Sequence, residues 1–466
     1  MLLEANGIHP LRAWPKQFER SQVHPATSFA AVLDLLANYD VYPPLTTAVI
    51  YGLRGLPNPI AAPRLVFLLL GVLLVVLVHD YARAVKGSGM ALMAAAYVAA
   101  SPLLAVTSQQ LKWYAVAPFL ATLAGLLLLR VTSVPTAGLR SWMAYVGAMA
   151  LLFHTHYFCL WAAAAHALYV VTQSRHQLPA FLRACGAIAA LCAPWYLLAL
   201  PRQLDFMRWY FENLGARPHD SWYQPLTIVT TLASTTYSLL AAAGLQPSFL
   251  RVRYMLPLVV ILLVCTYRCA TAANQGVRRL GRLALITLAV ALAAQTACAI
   301  DVKSTIPLTF GYFSTWAPLF MMCALFGAQE LGRPWARHGA TGILLGLTIV
   351  NLVQHRYPAK IAEAASLGDL AGVTRVLVDQ PRGTIVAFRR DRDAKVTNLF
   401  YRGEMTQLIA DRDGTVRPPP SAVRIIFVSR VGDPPSPQLP GWTSPRLLPS
   451  AARTARLEVM ERAPVP

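Results

Sequence analysis

Three short motifs carry side chains that could bind a polar ligand and act on it. They are NYDVYPPL at 38–45, SQQLKWY at 108–114 and HTHYF at 154–158, and each lies at the end of a hydrophobic segment. Apolar membrane spans rarely end in such dense groups of polar and aromatic residues unless a polar ligand meets the bilayer there. If all three motifs lie on the same face of the membrane, they predict one composite site at a lipid–water boundary.

The first motif places an acid beside a tight turn. In the sequence after Asp40, Pro43 disfavours helix at Tyr42, and the proline pair then starts a new helix. Asp40 is therefore interpreted as an acid at the membrane surface. The alternative is that its side chain caps the N-terminus of the following helix.

The other two motifs offer a cation and two imidazoles. Lys112 could hold a phosphate as a point charge, or it could be an interfacial lysine beside aromatic membrane anchors. His154 and His156 could line a ligand pocket or simply lie at the interface. Without a nearby carboxylate, the His-x-His spacing is only a weak signal for a metal site.

The composition is that of a membrane protein. Of the 466 residues 56% are hydrophobic and 13% are charged, with 41 Lys and Arg against 21 Asp and Glu. Many basic residues separate hydrophobic runs, which membrane orientation and anionic lipid headgroups explain better than nucleic acid does. No nucleic-acid-binding motif is present, and the seven cysteines form neither a disulfide framework nor a metal-ligand set.

The apolar segments predict a mainly α, polytopic membrane fold of about 10–12 spanning helices, each needing roughly 20 residues. Ten spans are predicted near 62–82, 90–107, 113–130, 141–154, 157–172, 183–200, 254–269, 282–300, 308–328 and 339–355. The segment 225–244 is apolar but rich in Thr and Ser, and we interpret it as an interfacial helix. Residues 62–355 then form the transmembrane domain.

Short alternate loops collect basic residues, which predicts their side of the membrane. They carry Arg83, Lys86, Arg130, Arg140, Arg175, Arg183, Arg268, Arg278, Arg279, Arg282, Arg333 and Arg337. The positive-inside rule places these loops in the cytoplasm. All three motifs and both ends of the chain then face outward, although Arg251 and Arg253 lie outside as well in this arrangement.

Both ends of the chain differ from the apolar middle. The tail, 356–466, is predicted to be a small soluble α/β domain with strands near 374–379, 384–389 and 423–430. Residues 1–61 are predicted to be an external loop with interfacial helices. Because residues 1–43 contain no stretch apolar enough to span, we expect a first helix upstream of Met1, the alternative being that the N-terminus crosses the membrane by another route.

In this order the motifs resemble those of the GT-C superfamily of polyprenyl-phosphate-sugar-dependent membrane glycosyltransferases. Within it they are most similar to the protein-mannosyltransferase-like and lipid A aminoarabinose transferase-like branch. DVYPPLT resembles the family's D-x-H-P-P-L-Y-like turn, SQQLKWY its S-x-E-x-R-x-Y motif at the second external turn, and THYF its T-H-Y-F motif. Gln110 and Lys112 stand where the family carries Glu and Arg. The acid expected upstream of the PPL turn is Glu19, within FERS at 18–21.

The resemblance implies transfer of a sugar from a polyprenyl-phosphate donor to an extracytoplasmic glycan, lipid or protein. Either Glu19 or Asp40 would be the catalytic base and Lys112 the phosphate clamp. The other implied substrate-binding residues are Gln110, Tyr114, His154, His156, Tyr157, Arg202 and Lys303. The implied location is a bacterial inner membrane, with the active site and the tail in the periplasm.

No nucleotide cofactor is expected, since the sequence has neither a Walker nor a Rossmann glycine pattern, while a divalent cation stays open. Two other functions stay open. The chain could be a catalytically silent homologue that acts as a partner subunit. It could also be a lipid-linked glycan flippase or transporter, which would need polar or charged residues in the middle of its spans.

Overall fold

The structure is a computed structural model with side chains. It describes residues 28–39, 42–53, 56, 61–108, 113–205, 252–301 and 313–354, and parts of the tail. The described tail residues are 380–381, 384–388, 407–409, 418, 422–430, 436, 438–448 and 455–463.

Helices dominate the described part of the chain up to Gln354. They are α1 (Phe29–Tyr39), α2 (Leu45–Leu53), α3 (Ala61–Lys86), α4 (Ser88–Ala99), α5 (Pro102–Thr107), α6 (Trp113–Thr132), α7 (Leu139–Phe153), α8 (Leu160–Gln173), α9 (Leu178–Leu198), α10 (Val252–Ala270), α11 (Gln275–Asp301), α12 (Ala317–Gln329) and α13 (Pro334–Gln354). Where the structure describes them, the apolar segments predicted as spans are largely helical, with breaks at 100–101 and 314–316.

One predicted span is corrected. The expected helix 90–107 is divided into α4 and α5, which are separated at Ala100 and Ser101. Pro102 has no backbone N–H to donate and disfavours helical geometry at the residue before it. The chain therefore bends before the second motif instead of crossing in one straight helix.

Three of the described helical segments are long and apolar enough to cross a membrane, namely Ala62–Lys86, Arg175–Leu198 and Gln275–Cys298. Other apolar helices, including α4, α7 and α12, are shorter. Only 22% of the apolar window in Ala62–Lys86 is buried, and large side chains such as Leu65, Val72 and Val76 are about half exposed. Such a surface is unfavourable in water and favourable in lipid, which indicates a membrane protein.

The basic loops meet at one end of the helical bundle. Lys86 forms an ion pair with Glu330, and Arg268 donates two hydrogen bonds to the Glu330 carbonyl at 3.1 and 2.7 Å. Asn274 Nδ2 donates to the carbonyl oxygen of Val85 at 3.2 Å, which joins the loop before α11 to the end of α3. We call this the basic end.

Two further contacts add the remaining basic loops to this end. Gln177 Nε2 donates to the carbonyl oxygens of Val134 and Pro135, both at 2.8 Å, and so joins the loop after α8 to the loop after α6. Arg282 near the start of α11 donates to Gln173 at the end of α8. The five predicted basic loops thus share one end of the bundle, as the positive-inside pattern requires, and their cytoplasmic location stays a prediction.

The described tail residues form a five-stranded mixed sheet with the order β2–β1–β3–β5–β4. The strands are β1 (Thr384–Phe388), β2 (Gln407–Ile409), β3 (Arg424–Arg430), β4 (Arg446–Leu447) and β5 (Ala455–Glu461). β1 pairs in parallel with β2 and β3, and β5 pairs antiparallel with β3 and β4. One face buries Ile385, Ile425, Phe427 and Met460.

The strands predicted at 384–389 and 423–430 are confirmed as β1 and β3, whereas 374–379 lies outside the described residues. Parallel pairing of β1 with β3 requires a crossover connection, which suits the predicted α/β class. The class itself and the domain boundaries stay predictions.

Candidate functional site

The structure brings the first and third motifs into direct contact. The Leu45 N–H donates to the carbonyl oxygen of His154 at 2.8 Å, which fastens the PPL turn to the HTHYF turn. The His156 ring lies 5.6 Å from the Tyr42 ring and 4.0 Å from the Trp113 ring, measured between ring centroids. Because Trp113 belongs to the second motif, His156 contacts residues from both other motifs. We call Tyr42, Trp113, His154, His156 and Tyr157 the motif cluster.

Local sequence explains how the PPL turn presents Tyr42. Pro43 favours an extended backbone at the preceding residue, and the carbonyl of Pro44 accepts the first helical hydrogen bond of α2 from Ala48 at 2.7 Å. A rigid turn therefore separates α1 from α2 and holds Tyr42 against His156.

The HTHYF turn is built by its own histidines. At the end of α7, both the N–H and the ring Nδ1 of His154 lie close to the carbonyl oxygen of Ala150, at 3.1 and 2.8 Å. His156 then caps the short 3-10 turn Tyr157–Cys159, because its Nδ1 accepts a hydrogen bond from the Phe158 N–H at 3.1 Å. Each histidine thus satisfies backbone groups that the end of one helix and the start of the next would leave unpaired.

The two histidines carry their protons on different nitrogens. A carbonyl acceptor at Nδ1 requires a proton there in His154, so that Nε2 is the acceptor of the neutral ring. In His156 Nδ1 is itself the acceptor, so the proton of the neutral ring lies on Nε2. Burial lowers the pKa of His156 to about 3, and this ring is neutral at physiological pH. It can shape a pocket and donate a hydrogen bond, but it cannot hold a phosphate as a cation.

His154 faces a different neighbour from His156. Its Nδ1 lies 3.8 Å from Cys192 Sγ of α9, and its ring meets the Tyr196 ring edge-on at 6.5 Å. The HTHYF turn therefore lies between α9 on one side and the Tyr42–Trp113 pair on the other. Within the part of the chain that the structure describes, no three His, Cys, Asp or Glu side chains are grouped to hold a metal ion.

Gln203 joins the parts of the cluster and was missed by the sequence reasoning. Its side chain is 1% exposed, and its Nε2 donates to the carbonyl oxygens of Leu36 at 2.7 Å and Tyr42 at 3.2 Å. Its Oε1 accepts a hydrogen bond from the Tyr157 hydroxyl. One buried amide thus joins α1, the PPL turn and the HTHYF turn. The sequence signals it only as a polar residue just after an apolar span.

The Tyr157 hydroxyl also accepts a hydrogen bond from Trp195 Nε1 of α9 at 3.1 Å. Its ring meets the Tyr196 ring edge-on at 5.5 Å. Gln203, Trp195 and Tyr196 therefore hold the Tyr157 side chain in place within the motif cluster.

A largely apolar cavity of about 230 Å³ lies between α3, α4, α5 and α6. Its walls include Gly71 and Val75 of α3 and Pro118 of α6. Its polar lining residues include Ser108 and Tyr114, which belong to the second motif. Tyr114 also contacts Trp113, with ring centroids 4.1 Å apart. The cavity therefore adjoins the motif cluster through two consecutive residues of α6.

The predicted site residues fall into three groups. Tyr114, His154, His156 and Tyr157 lie in or beside the motif cluster as described above. Arg202 is exposed and immediately precedes the buried Gln203. The other predicted site residues, Glu19, Asp40, Gln110, Lys112 and Lys303, lie outside the described residues.

No protein-family model matches the sequence, and no curated protein matches it. Two solved structures are similar to the chain. ArnT from Cupriavidus metallidurans in the apo state is 12% identical with a TM-score of 0.45, over 98% of this chain and 92% of that chain. ArnT from the same organism bound to undecaprenyl phosphate is 14% identical with a TM-score of 0.42, over 98% and 95%. Neither similarity assigns this chain to a family.

Proposed function

We propose that this protein is an integral membrane glycosyltransferase that transfers a sugar from a polyprenyl-phosphate donor to an acceptor outside the cytoplasm. The observation that carries the proposal is the contact of His156 with Tyr42 and Trp113, which gathers three motifs at one end of the bundle. The charged loops gather at the other end. A polar ligand is therefore expected where the aromatic and amide groups converge.

The adjoining cavity supports a lipid-linked donor. Its walls are mostly aliphatic side chains of α3 to α6, and two of its polar lining residues, Ser108 and Tyr114, come from the second motif. An isoprenoid chain needs apolar walls, whereas its phosphate and sugar need polar partners at one end. The cavity and the motif cluster together provide both environments side by side.

The chemistry assigns roles to the predicted residues. Glu19 or Asp40 would take the proton from the acceptor, and Lys112 would hold the phosphate that leaves the sugar, with Arg202 or Lys303 assisting. Gln110, Tyr114, His154, His156 and Tyr157 would line the sugar pocket. The neutral His156 ring and Trp113 pack on each other and are buried, so they would support the wall of the sugar pocket from behind.

The test is donor binding by two neighbouring variants of α3. Val75 lines the cavity, whereas Val76 is 48% exposed on the outer surface of the same helix. Val75→Phe fills the cavity and is expected to weaken binding of a polyprenyl phosphate at least tenfold in detergent micelles. Val76→Phe adds the same side chain outside the cavity and should bind like the wild type.

Equal donor affinity in Val75→Phe and Val76→Phe would refute the cavity as the donor site. Turnover then separates the remaining alternatives. A silent homologue would bind the donor and lose affinity in Val75→Phe without transferring sugar to any acceptor. A flippase would move the intact lipid across liposome membranes and release no polyprenyl phosphate.

A further inference from the structure

Helices α6, α11 and α12 meet at one junction inside the bundle. A Cβ atom on Gly125 of α6 would lie 3.2 Å from Leu319 Cδ1 of α12 and 3.5 Å from Leu283 Cδ2 of α11. The direction of each helix is fixed by its ends. α6 begins at Trp113 in the motif cluster, whereas α11 begins and α12 ends at the basic end.

One helical turn from this junction toward the motif cluster, each helix carries a polar group. These are Thr122 on α6, Thr287 on α11 and Trp316 at the start of α12. Thr122 lies three residues before Gly125, Thr287 lies four residues after Leu283, and Trp316 lies three residues before Leu319. Residues at these spacings share a helix face. The three side chains therefore lie on the faces that meet at the junction.

All three side chains are buried and lack partners. Their exposed fractions are 0% for Thr122, 3% for Thr287 and 5% for Trp316. Across the ranges that the structure describes, neither threonine Oγ1 nor Trp316 Nε1 has a hydrogen-bond partner. Buried polar atoms are paired in most proteins, with protein groups or with ordered water.

Other helical threonines of this chain show that the arrangement is unusual. Thr107, Thr132, Thr266 and Thr348 each donate to the carbonyl four residues earlier, at 2.7 to 2.8 Å. Such a bond is the ordinary way for a threonine to satisfy its hydroxyl within an apolar helix. Thr122 and Thr287 make no such bond, so that their hydroxyls have no partner among the described residues.

A fourth polar residue extends this row toward the motif cluster. Gln295 of α11 is 0% exposed, and neither its Oε1 nor its Nε2 has a partner in the described part of the chain. It lies eight residues beyond Thr287, or about 12 Å along the helix. α8 runs toward the basic end and α11 runs away from it, and Arg282 of α11 contacts Gln173 of α8. Counting the same number of residues away from this contact along each helix places Gln295 level with Leu160, next to the HTHYF turn.

We propose that Thr122, Thr287, Trp316 and Gln295 form a polar seam that holds ordered water inside the helical bundle. The indole N–H donates, each hydroxyl donates and accepts, and the amide does both. A buried water makes about three hydrogen bonds, which three converging groups supply. The seam contains no ionic side chain, and its neutral donors and acceptors match water better than an ion. The N-terminus of α12, which has no side-chain cap, gains hydrogen-bonding partners from the same water.

The first test compares isosteric variants that remove the polar groups. If water occupies the seam, Thr287→Val and Gln295→Leu should lower the thermal unfolding midpoint of the purified protein. The decrease should exceed that of Thr266→Val, a matched control whose hydroxyl is bonded within its own helix. A dry seam predicts the opposite sign, because removing an unpaired polar group from an apolar interior stabilises the protein. Higher midpoints in Thr287→Val and Gln295→Leu would overturn the proposal.

The second test detects the water itself. Radiolysis produces hydroxyl radicals from bound water, so Trp316 should be oxidised in the folded protein despite its burial, as read by mass spectrometry. In the Thr122→Val/Thr287→Val double variant, oxidation of Trp316 should fall several-fold. Absence of Trp316 oxidation in the wild type, or an equal rate in the double variant, would overturn the proposal. Both measurements are independent of sugar transfer, so their outcome does not depend on the proposed function.

Discussion

Replacing the buried amide of Gln203 tests whether this side chain organises the donor site or only stabilises the fold. Gln203→Leu keeps a similar volume but removes the two hydrogen bonds to the carbonyl oxygens of Leu36 and Tyr42, and the one accepted from Tyr157. A buried hydrogen bond contributes about 0.5–1.5 kcal/mol net, so losing all three should cost roughly 2–4 kcal/mol of unfolding free energy. The side chain is 1% exposed, and solvent cannot replace the lost partners.

The chain contains a matched control at its basic end. Gln177 is also buried, and its Nε2 donates to two carbonyl oxygens, those of Val134 and Pro135. Gln177→Leu should therefore lower the unfolding midpoint by a comparable amount. It should leave donor affinity and sugar transfer unchanged, since its partners lie far from the motif cluster.

The assay measures the unfolding midpoint and polyprenyl-phosphate affinity of both variants in the same micelles. Gln203→Leu should lose stability and, in addition, at least tenfold in donor affinity or transfer, because Tyr42 and Tyr157 lose their fixed positions. A double-mutant cycle with Tyr157→Phe should show a coupling energy of about 1 kcal/mol in stability. If Gln203→Leu and Gln177→Leu affect the donor equally, or not at all, the amide does not organise the site.

Three further perturbations have defined outcomes. Gly327→Ala should prevent folding, because the alanine Cβ atom would lie 1.6 Å from the Cys265 carbonyl oxygen. Gly346→Ala is the control and should be tolerated, since there is open space around that position. Circular dichroism and expression level check both variants. Burial lowers the pKa of His156 from 6.5 to about 3, so between these pH values the unfolded state binds more protons than the folded state. The free energy of unfolding should therefore decrease as the pH drops below about 6.5, by up to about 1.4 kcal/mol per pH unit. This pH dependence should be weaker in His156→Phe. Lys112→Ala should weaken donor binding more than Lys112→Arg does, since a phosphate clamp needs charge before geometry, and equal affinities would make Lys112 a membrane anchor.

The helices were predictable because their signal is local. Long apolar segments predicted helices, and basic residues at alternate ends predicted that these loops share one end of the bundle, with which the contact of Lys86 with Glu330 agrees. The break before Pro102 was available from the same sequence, since proline ends helices, but the apolar run around it concealed the break. Hydropathy averages over such a break, whereas backbone hydrogen bonding does not.

The sequence predicted only that the three motifs would lie on the same face, not which of their side chains would be in contact. Topology placed the three motifs on one face, but nothing in the sequence indicated that His156 would lie between Tyr42 and Trp113. Gln203 and Gln295 were missed for the same physical reason. A single amide in or beside an apolar segment acquires its role from partners distant in sequence, and one sequence without structure does not reveal them.

The tail shows how charge conceals a strand. β5 contains Arg456, Glu458 and Glu461, so its apolar residues do not stand out as a continuous run. In the sheet, Glu461 pairs with Arg424 of β3 at 2.6 Å, and Glu458 pairs with Arg456 at 2.5 Å. These ion pairs satisfy the charges on the strand, and the apolar side chains can then join the core.

Within the described helices, the distribution of ionisable groups favours the proposed transfer chemistry over transport through the bundle. Transporters place charged or titratable groups in mid-span, where they bind substrates or relay protons. In the described helices the charged side chains concentrate at the basic end, and the buried His166 is already paired with the Tyr145 hydroxyl at 3.0 Å. The four residues of the polar seam, Thr122, Thr287, Trp316 and Gln295, are neutral and extend inward from the level of the HTHYF turn. This arrangement suits a ligand that enters from the motif cluster, reacts there and leaves by the same face, which is what a lipid-linked sugar transferase requires.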